Sequence, residues 1–255
     1  MKRLLLSMCI LFSFQWSVLA HEDDQQPVDG QVDAMAPPPV AEQNRWLYEL
    51  LMAPADRSAQ PKESFKSFWV HLLDSYDTFI HPDEVKAANL RLRPNVKGTI
   101  RYVIIRKRYE YDIVQRGEKA FTIVVRVHLK NPKNDDIANF TRKIKQAEST
   151  WNWHKVRADF DYNFQFDIVT DRRQAHFSVN VLDETRGPYD TNWSRGWTGA
   201  VIAHEIGHML GLGDEYETIS GKINCLTASL MCSSWSGRLM PHHYYFVLRR
   251  LMVAP

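Results

Sequence analysis

Two histidines and a glutamate form the part of the sequence best suited to chemistry. His204 and His208 are four residues apart, and Glu205 directly follows the first histidine. On a helix this spacing places both imidazoles on one face, where they can bind the same metal ion. The pattern is the HExxH motif of zinc hydrolases, in which the glutamate is the general base. The sequence therefore predicts one zinc ion per chain, with Glu205 assisting the attack of a zinc-bound water on a carbonyl carbon.

A catalytic zinc ion needs a third protein ligand and keeps its fourth position for water. Gly211 suits the left-handed turn that ends many helices, and such a turn would swing Asp214 back toward the metal. No acidic residue follows Glu217, which excludes a carboxylate from a later helix or loop. Asp214 is therefore the predicted third ligand. The other downstream candidates are Glu215, which is the runner-up, Glu217, His242 and His243.

The extended motif resembles the signature of the metzincin clan of zinc metallopeptidases. It reads His204-Glu205-x-x-His208-x-x-Gly211-x-x-Asp214, where the clan has H-E-x-x-H-x-x-G-x-x-H/D. The clan also has a Met-turn beneath the metal, which Ser229-Leu230-Met231-Cys232 resembles, with Met231 as the methionine. The resemblance covers residues 98–255 and extends to secreted bacterial peptidases of this type.

The resemblance implies an α+β fold with a mixed twisted sheet, an active-site helix, a Met-turn and a C-terminal helix. It also implies an endopeptidase whose protein or peptide substrate lies along an edge strand, expected at residues 175–181. Two features depart from the clan pattern. The third ligand is an aspartate where most members have histidine, and residues 232–235 lack the tyrosine that follows the Met-turn in some members.

Hydrophobic periodicity places the motif among helices and strands. Alternating and β-branched residues predict the strands, and apolar residues at helical spacing predict the helices. The strands are Thr99–Lys107, Phe121–Leu129, Asp161–Thr170 and Ala175–Val181, and the helices are Asp135–Trp151, Gly199–Leu210 with Thr198 as its N-cap, and Pro241–Met252.

The N-terminal part of the chain is expected to lie outside the catalytic domain. Lys2 and Arg3 precede an apolar run that ends at Val18-Leu19-Ala20, which predicts a signal peptide cleaved near Ala20. The predicted organisation is a signal peptide at 1–20, a flexible leader at 21–44, a helical segment at 45–95 and the metallopeptidase domain at 96–255. The sequence therefore indicates a secreted or periplasmic protein.

The charge of the chain gives no indication of a nucleic-acid or membrane partner. Loss of Lys2 and Arg3 with the signal peptide balances the 32 basic against the 30 acidic side chains, so neither nucleic-acid binding nor stable membrane insertion is indicated. The basic run Arg106-Lys107-Arg108 is expected to be a solvated strand edge.

Cys225 and Cys232 remain in an oxidising compartment, where a disulfide is expected. The sequence does not indicate an oligomeric state.

Two other functions share parts of this pattern. A zinc amide hydrolase acting on cell-wall peptides would use the same metal chemistry with a different substrate cleft. A non-catalytic secreted domain for metal binding or adhesion would retain metal ligands, but it would have no use for a general base at Glu205. The intact Glu205 therefore argues against a non-catalytic domain. The agreement of the helix motif, the glycine stop, the third ligand, the Met-turn, the expected disulfide and the export signal favours an exported zinc-dependent endopeptidase.

Overall fold

The fold is described here from a computed structural model. It covers residues 85–102, 105–184, 191–219, 222–225 and 229–252. The predicted signal peptide, the leader and residues 45–84 lie outside this part of the chain. Within the described part, none of the helices has the length and apolar character that a bilayer crossing requires.

The described strands form one six-stranded mixed sheet and a separate two-stranded hairpin. Strands β1, β2 and β3 are antiparallel, whereas β4 and β5 run parallel to β3, and β6 runs parallel to β5. The sheet strands are β1 Asn95–Tyr102, β2 Ile105–Gly117, β3 Ala120–Lys130, β4 Asp161–Val169, β5 Phe177–Leu182 and β6 Asn192–Ser194, and the hairpin is β7 Tyr216–Ile219 with β8 Lys222–Cys225.

The central strand is β3, and its composition explains its position. Phe121, Ile123, Val125 and Val127 are all buried, and so is the intervening Val124. A strand that is apolar on both faces is stable only where both faces are covered, as in the middle of a sheet with parallel neighbours. The predicted strand at 121–129 is confirmed.

Two strand predictions need correction. The predicted strand Thr99–Lys107 includes the connection between β1 and β2, because Tyr102 pairs with Ile105 and the chain reverses there. β5 is not an edge strand, because it lies between β3 and β6 in the sheet. Strand propensity identifies extended residues, but chain reversal and sheet order depend on contacts between distant segments.

Three helices of the described chain pack with the sheet. These are α1 Asp136–Trp153, α2 Gly199–Met209 and α3 Pro241–Met252, with short 3-10 helices at Ala87–Asn89 and Arg172–Gln174. In α1 the buried residues Phe140, Ile144, Ala147 and Trp151 recur at three- and four-residue spacing, so they form one apolar face. All three helix predictions are confirmed to within two residues at each end, and the fold is α+β as expected.

Trp151 connects the three helices. Its indole is fully buried, and Nε1 donates a hydrogen bond to the carbonyl oxygen of Ala203 in α2 at 3.1 Å. The hydroxyl of Tyr244 in α3 donates to the carbonyl oxygen of Trp151 at 2.8 Å. A large apolar ring with satisfied polar groups can therefore fix the position of α2, which carries the HExxH motif.

Both ends of α2 have specific caps. Thr198 accepts a hydrogen bond from the Val201 amide, as predicted for an N-cap. At the other end Gly211 has a φ of 90°, and its amide donates to the His208 carbonyl at 2.9 Å. The Leu212 amide donates to the Gly207 carbonyl at 2.9 Å. These two bonds make the Schellman turn that glycine favours, so the helix ends where the sequence predicts.

Arg250 of α3 completes the C-terminal cap of α2. Its guanidinium donates to the carbonyl oxygens of Leu210 at 3.1 Å and Gly211 at 2.8 Å. The same group lies 4.4 Å from the ring centroid of Tyr109 in β2. A cation is favourable at a helix C-terminus, where backbone carbonyls lack partners within the helix. Sheet, active-site helix and terminal helix therefore meet at this arginine.

We expect Gly211→Ala to lower the free energy of unfolding by about 1–3 kcal/mol, because a non-glycine residue is strained at this φ. Its Cβ would also meet the Arg250 guanidinium carbon at 2.9 Å. Urea denaturation in the presence of a chelator measures the change. Gly117→Ala is the control, because the nearest atom to its new Cβ is 3.6 Å away. Equal stability of the two variants would contradict the prediction.

Candidate metal centre

Three potential ligand atoms converge at the surface of α2. His204 and His208 contribute Nε2 atoms, and Asp214, which follows the glycine turn, contributes Oδ1. Oδ1 lies 3.3 Å from Nε2 of His204 and 3.0 Å from Nε2 of His208. The three side chains meet the geometric requirement for a shared metal ion. The structure therefore brings together the three residues that the sequence proposed as ligands.

Backbone carbonyls orient both imidazoles. Nδ1 of His204 lies 2.7 Å from the Leu230 carbonyl oxygen, and Nδ1 of His208 lies 2.9 Å from the Leu212 carbonyl oxygen. A carbonyl can only accept a hydrogen bond, so Nδ1 carries the proton in each ring. Each Nε2 consequently presents a lone pair to the centre. This is the arrangement that metal-binding histidines adopt, with the second nitrogen bonded to an oxygen.

The distances among the ligand atoms fit zinc. Bonds of about 2.0–2.1 Å at tetrahedral angles separate two ligand atoms by about 3.3 Å. Oδ1 of Asp214 lies 3.0 Å from Nε2 of His208 and 3.3 Å from Nε2 of His204, close to that value. Oδ1 of Asp214 is also buried without a hydrogen-bond partner among the described residues. Three lone-pair atoms at this distance repel one another, and a shared cation would relieve that repulsion.

The pKa values show the same attraction for positive charge. Burial lowers the pKa of His204, but its contact with Asp214 and the charge of Glu205 outweigh burial and raise it to about 9. Burial raises the pKa of Asp214, but the charge of His208 and contacts with both histidines hold it well below its usual range. The electrostatics of the cluster therefore favour a positive charge at its centre, which a metal ion or a competing proton could supply.

Glu205 has the environment that a proton-transferring carboxylate needs. Its side chain is buried, and Oε2 has no hydrogen-bond partner among the described residues. Burial raises the pKa of Glu205, although the charges of His204 and His208 act in the opposite direction. A carboxylate whose pKa is raised by burial can accept a proton and return it near neutral pH.

The Met-turn lies directly under the two histidines. Met231 is fully buried, and a Cβ added at Gly207 would clash with its sulfur atom. Gly207 lies between the two histidines in sequence, so the absence of a side chain there lets the methionine approach the helix. The turn is closed by hydrogen bonds from the Cys232 and Ser233 amides to the Ser229 carbonyl, at 3.0 Å and 2.9 Å.

Lys107 is a site residue that sequence reasoning missed. Its ammonium donates to Oδ2 of Asp214 at 3.2 Å, although the basic run containing it was expected to be a solvated edge. Arg106 and Arg108 are exposed, but Lys107 shares the inward-facing positions of β2 with the buried Tyr109 and Tyr111. The alternation of exposed and buried positions was the signal that could have identified it.

Glu215, the alternative third ligand, belongs to a separate buried cluster. Its Oε1 lies 2.6 Å from Nε2 of His242 and 3.1 Å from Nε2 of His243, both in α3. Oε2 accepts a hydrogen bond from the Ser229 hydroxyl at the start of the Met-turn. All four side chains are fully buried. We call this set the Glu215 cluster. It connects the residue after Asp214 to both the Met-turn and α3.

Hydrogen bonding argues against a second metal ion in the Glu215 cluster. The Met240 amide donates to Nδ1 of His243 at 3.0 Å, so this nitrogen must carry the lone pair. Nε2 of His243 therefore carries the proton and donates to Glu215, unlike Nε2 of His204 and His208. The cluster is a network of hydrogen bonds around a buried carboxylate. Sequence reasoning missed the cluster because His242 and His243 are 27 and 28 residues from Glu215 in the chain.

Two further features concern the surroundings of the site. Trp193 and Trp197, from the aromatic loop before α2, are both buried in the core and do not line an open cleft. The side chain of Cys225 lies outside the described part of the structure, so the Cys225–Cys232 pair stays a prediction.

The chain is similar to a family of zinc metallopeptidases of the metzincin type. Residues 148–244 match the family of immune inhibitor A peptidases, M6, over its catalytic domain. The matched segment extends from the second half of α1 into α3 and contains His204, Glu205, His208 and Asp214, but not Lys107. No curated protein has a detectable match to the chain.

We expect Glu215→Ala to lower the free energy of unfolding by about 3–5 kcal/mol, because it leaves the buried donors of His242, His243 and Ser229 without an acceptor. Urea denaturation with chelator present measures this loss without a contribution from metal binding. Glu118→Ala, at an exposed position in the β2–β3 turn, is the control. An unchanged midpoint for Glu215→Ala would contradict a stabilising role of the cluster.

We expect His243 to make stability fall with acidification. Burial lowers its pKa from 6.5 to about 4 in the folded protein, so between these values the unfolded state binds more protons. Its contribution is destabilising below pH 6.5, and the effect grows until the pH reaches about 4. The difference in unfolding free energy between wild type and His243→Gln should therefore change between pH 7 and 5. A difference that is independent of pH would refute this assignment.

Proposed function

We propose that the protein is an exported zinc-dependent endopeptidase. The observation that carries this proposal is the convergence of two imidazole lone pairs and one carboxylate oxygen next to the buried, partly unpaired carboxylate of Glu205. A structural zinc site is usually closed by four protein ligands, whereas a catalytic site has three and keeps one position open. A neighbouring general base is useful only to a catalytic site.

His204, His208 and Asp214 would hold the zinc ion. When bound, zinc polarises a carbonyl and makes water acidic enough to react near neutral pH. Glu205 accepts the proton from the attacking water and delivers it to the amine of the leaving peptide. Leu230 and Leu212 keep the two imidazoles in the tautomer that leaves Nε2 unprotonated. The chain itself thus supplies the proton carrier, the ligand set and the orientation of the ligands.

Export and oxidation belong to the same proposal. The predicted signal peptide at 1–20 would direct the chain to the periplasm or the exterior, where the Cys225–Cys232 disulfide can form. That disulfide would connect β8 to the Met-turn, which carries the Leu230 carbonyl that orients His204. A protein or peptide is the proposed substrate, because the metallopeptidase match concerns the catalytic domain.

Metal content and hydrolysis together test the proposal. Wild-type protein should hold about one zinc ion per chain, and Glu205→Gln should retain it because Glu205 is not a ligand. Hydrolysis of unfolded casein by Glu205→Gln should fall by about 10²–10⁴-fold, the usual contribution of general base catalysis. His208→Ala and Asp214→Ala should lose both zinc and activity. Elemental analysis and release of casein fragments are the two measurements.

Matched controls separate the site from general effects of substitution. His154→Ala and Glu118→Gln change the same residue types at exposed positions outside the site, and both should keep zinc and activity. Wild-type protein without zinc after refolding with the metal would overturn the proposal. Zinc binding without hydrolysis of casein or other proteins would leave a metal-binding domain and remove the endopeptidase assignment.

A further inference from the structure

Lys107 is the cation that faces the metal centre from the sheet. It lies on β2, and its side chain is 19% exposed. Its neighbours in the basic run, Arg106 and Arg108, are both exposed. The next inward-facing residues of β2 also make specific contacts, Tyr109 with Arg250 and Tyr111 with the Val247 carbonyl. Lys107 therefore lies on the strand face that contacts α3.

The two oxygens of Asp214 have different partners. Oδ2 accepts a hydrogen bond from the Lys107 ammonium at 3.2 Å, while Oδ1 faces the Nε2 atoms of His204 and His208. A carboxylate that is held in this way offers one oxygen to the metal centre. Without the ammonium, the carboxylate could rotate and present both oxygens to the metal, because Lys107 is the hydrogen-bond donor to Oδ2 among the described residues.

Charge gives Lys107 a second effect. Most sites of this type have three neutral imidazoles, so the aspartate adds one negative charge to the ligand set. The ammonium adds one positive charge next to that aspartate and restores the total charge of a three-histidine site. Ligand charge affects how strongly a metal polarises its remaining ligand, so this compensation bears directly on the chemistry of the centre.

We propose that Lys107 is a positioning residue for the metal centre, which holds Asp214 as a single-oxygen ligand and compensates its negative charge. This inference rests on the proposed zinc site and on Asp214 as its third ligand. It explains why an inward-facing position of β2 has a lysine where the following inward positions have tyrosines.

Lys107→Met tests the proposal, because methionine keeps much of the side-chain volume and removes the charge. Cobalt(II) in place of zinc reports the coordination through its visible absorption. In Lys107→Met the absorption should change toward that of a higher coordination number, as the freed carboxylate binds through both oxygens. The kcat/KM for casein should fall by about 10–100-fold, the usual effect of a lost outer-shell partner. Lys107→Arg should restore a large part of both properties.

A double-mutant cycle separates positioning from simple packing. In an Asp214→His background the third ligand is neutral and has no second oxygen to hold. Lys107→Met should then leave the shape of the cobalt spectrum of the Asp214→His protein unchanged, and it should not weaken zinc binding, because the ammonium no longer offsets a negative charge. If Lys107 only stabilises the strand, the substitution will have the same effect in both backgrounds, and the proposal is overturned.

Lys97→Met is the matched control, because Lys97 is exposed on the adjacent strand β1. It should have the wild-type cobalt spectrum, and its chelator-treated form should unfold at the same urea concentration as wild type. A wild-type spectrum and wild-type kcat/KM in Lys107→Met would overturn the inference while leaving the zinc site intact. Absence of zinc from the wild-type protein would instead overturn the proposed function itself.

Discussion

The structure depends on keeping three lone pairs directed at one buried point. The Nε2 atoms of His204 and His208 and Oδ1 of Asp214 would repel one another without a cation, so their positions must be imposed by the surrounding fold. The two backbone carbonyls that bind Nδ1 decide which nitrogen of each ring faces inward. Those carbonyls come from the Met-turn and from the glycine turn, which makes both turns part of the metal centre.

Contacts with the terminal helix hold the Met-turn and the glycine turn in place. Arg250 binds the carbonyls that end α2, and the Glu215 cluster joins the start of the Met-turn to His242 and His243. The Glu215 cluster is fully buried, so its hydrogen bonds are sensitive to the loss of a single member. The terminal helix therefore contributes to the centre through orientation, although none of its side chains reaches the three ligand atoms.

Local patterns made some elements predictable and left others undetermined. The spacing of Phe140, Ile144 and Ala147 was sufficient to predict α1, because helix periodicity is a property of neighbouring residues. The division of Thr99–Lys107 into two strands was not predictable, because a chain reversal within a β-rich run has no strong local signal. The short strand β6 was missed for a similar reason, since its three residues are strands only because they pair with β5.

The sequence by itself determined the reactive groups: two histidines and a glutamate at helical spacing, a glycine that ends the helix, and an aspartate three residues beyond it. These features are close together in the chain, where backbone geometry alone sets their relation. Only the tertiary structure decided that Asp214 joins the histidines while Glu215 turns to His242 and His243, and that Lys107 faces the site. Those choices depend on contacts between segments up to 107 residues apart, which no local pattern encodes.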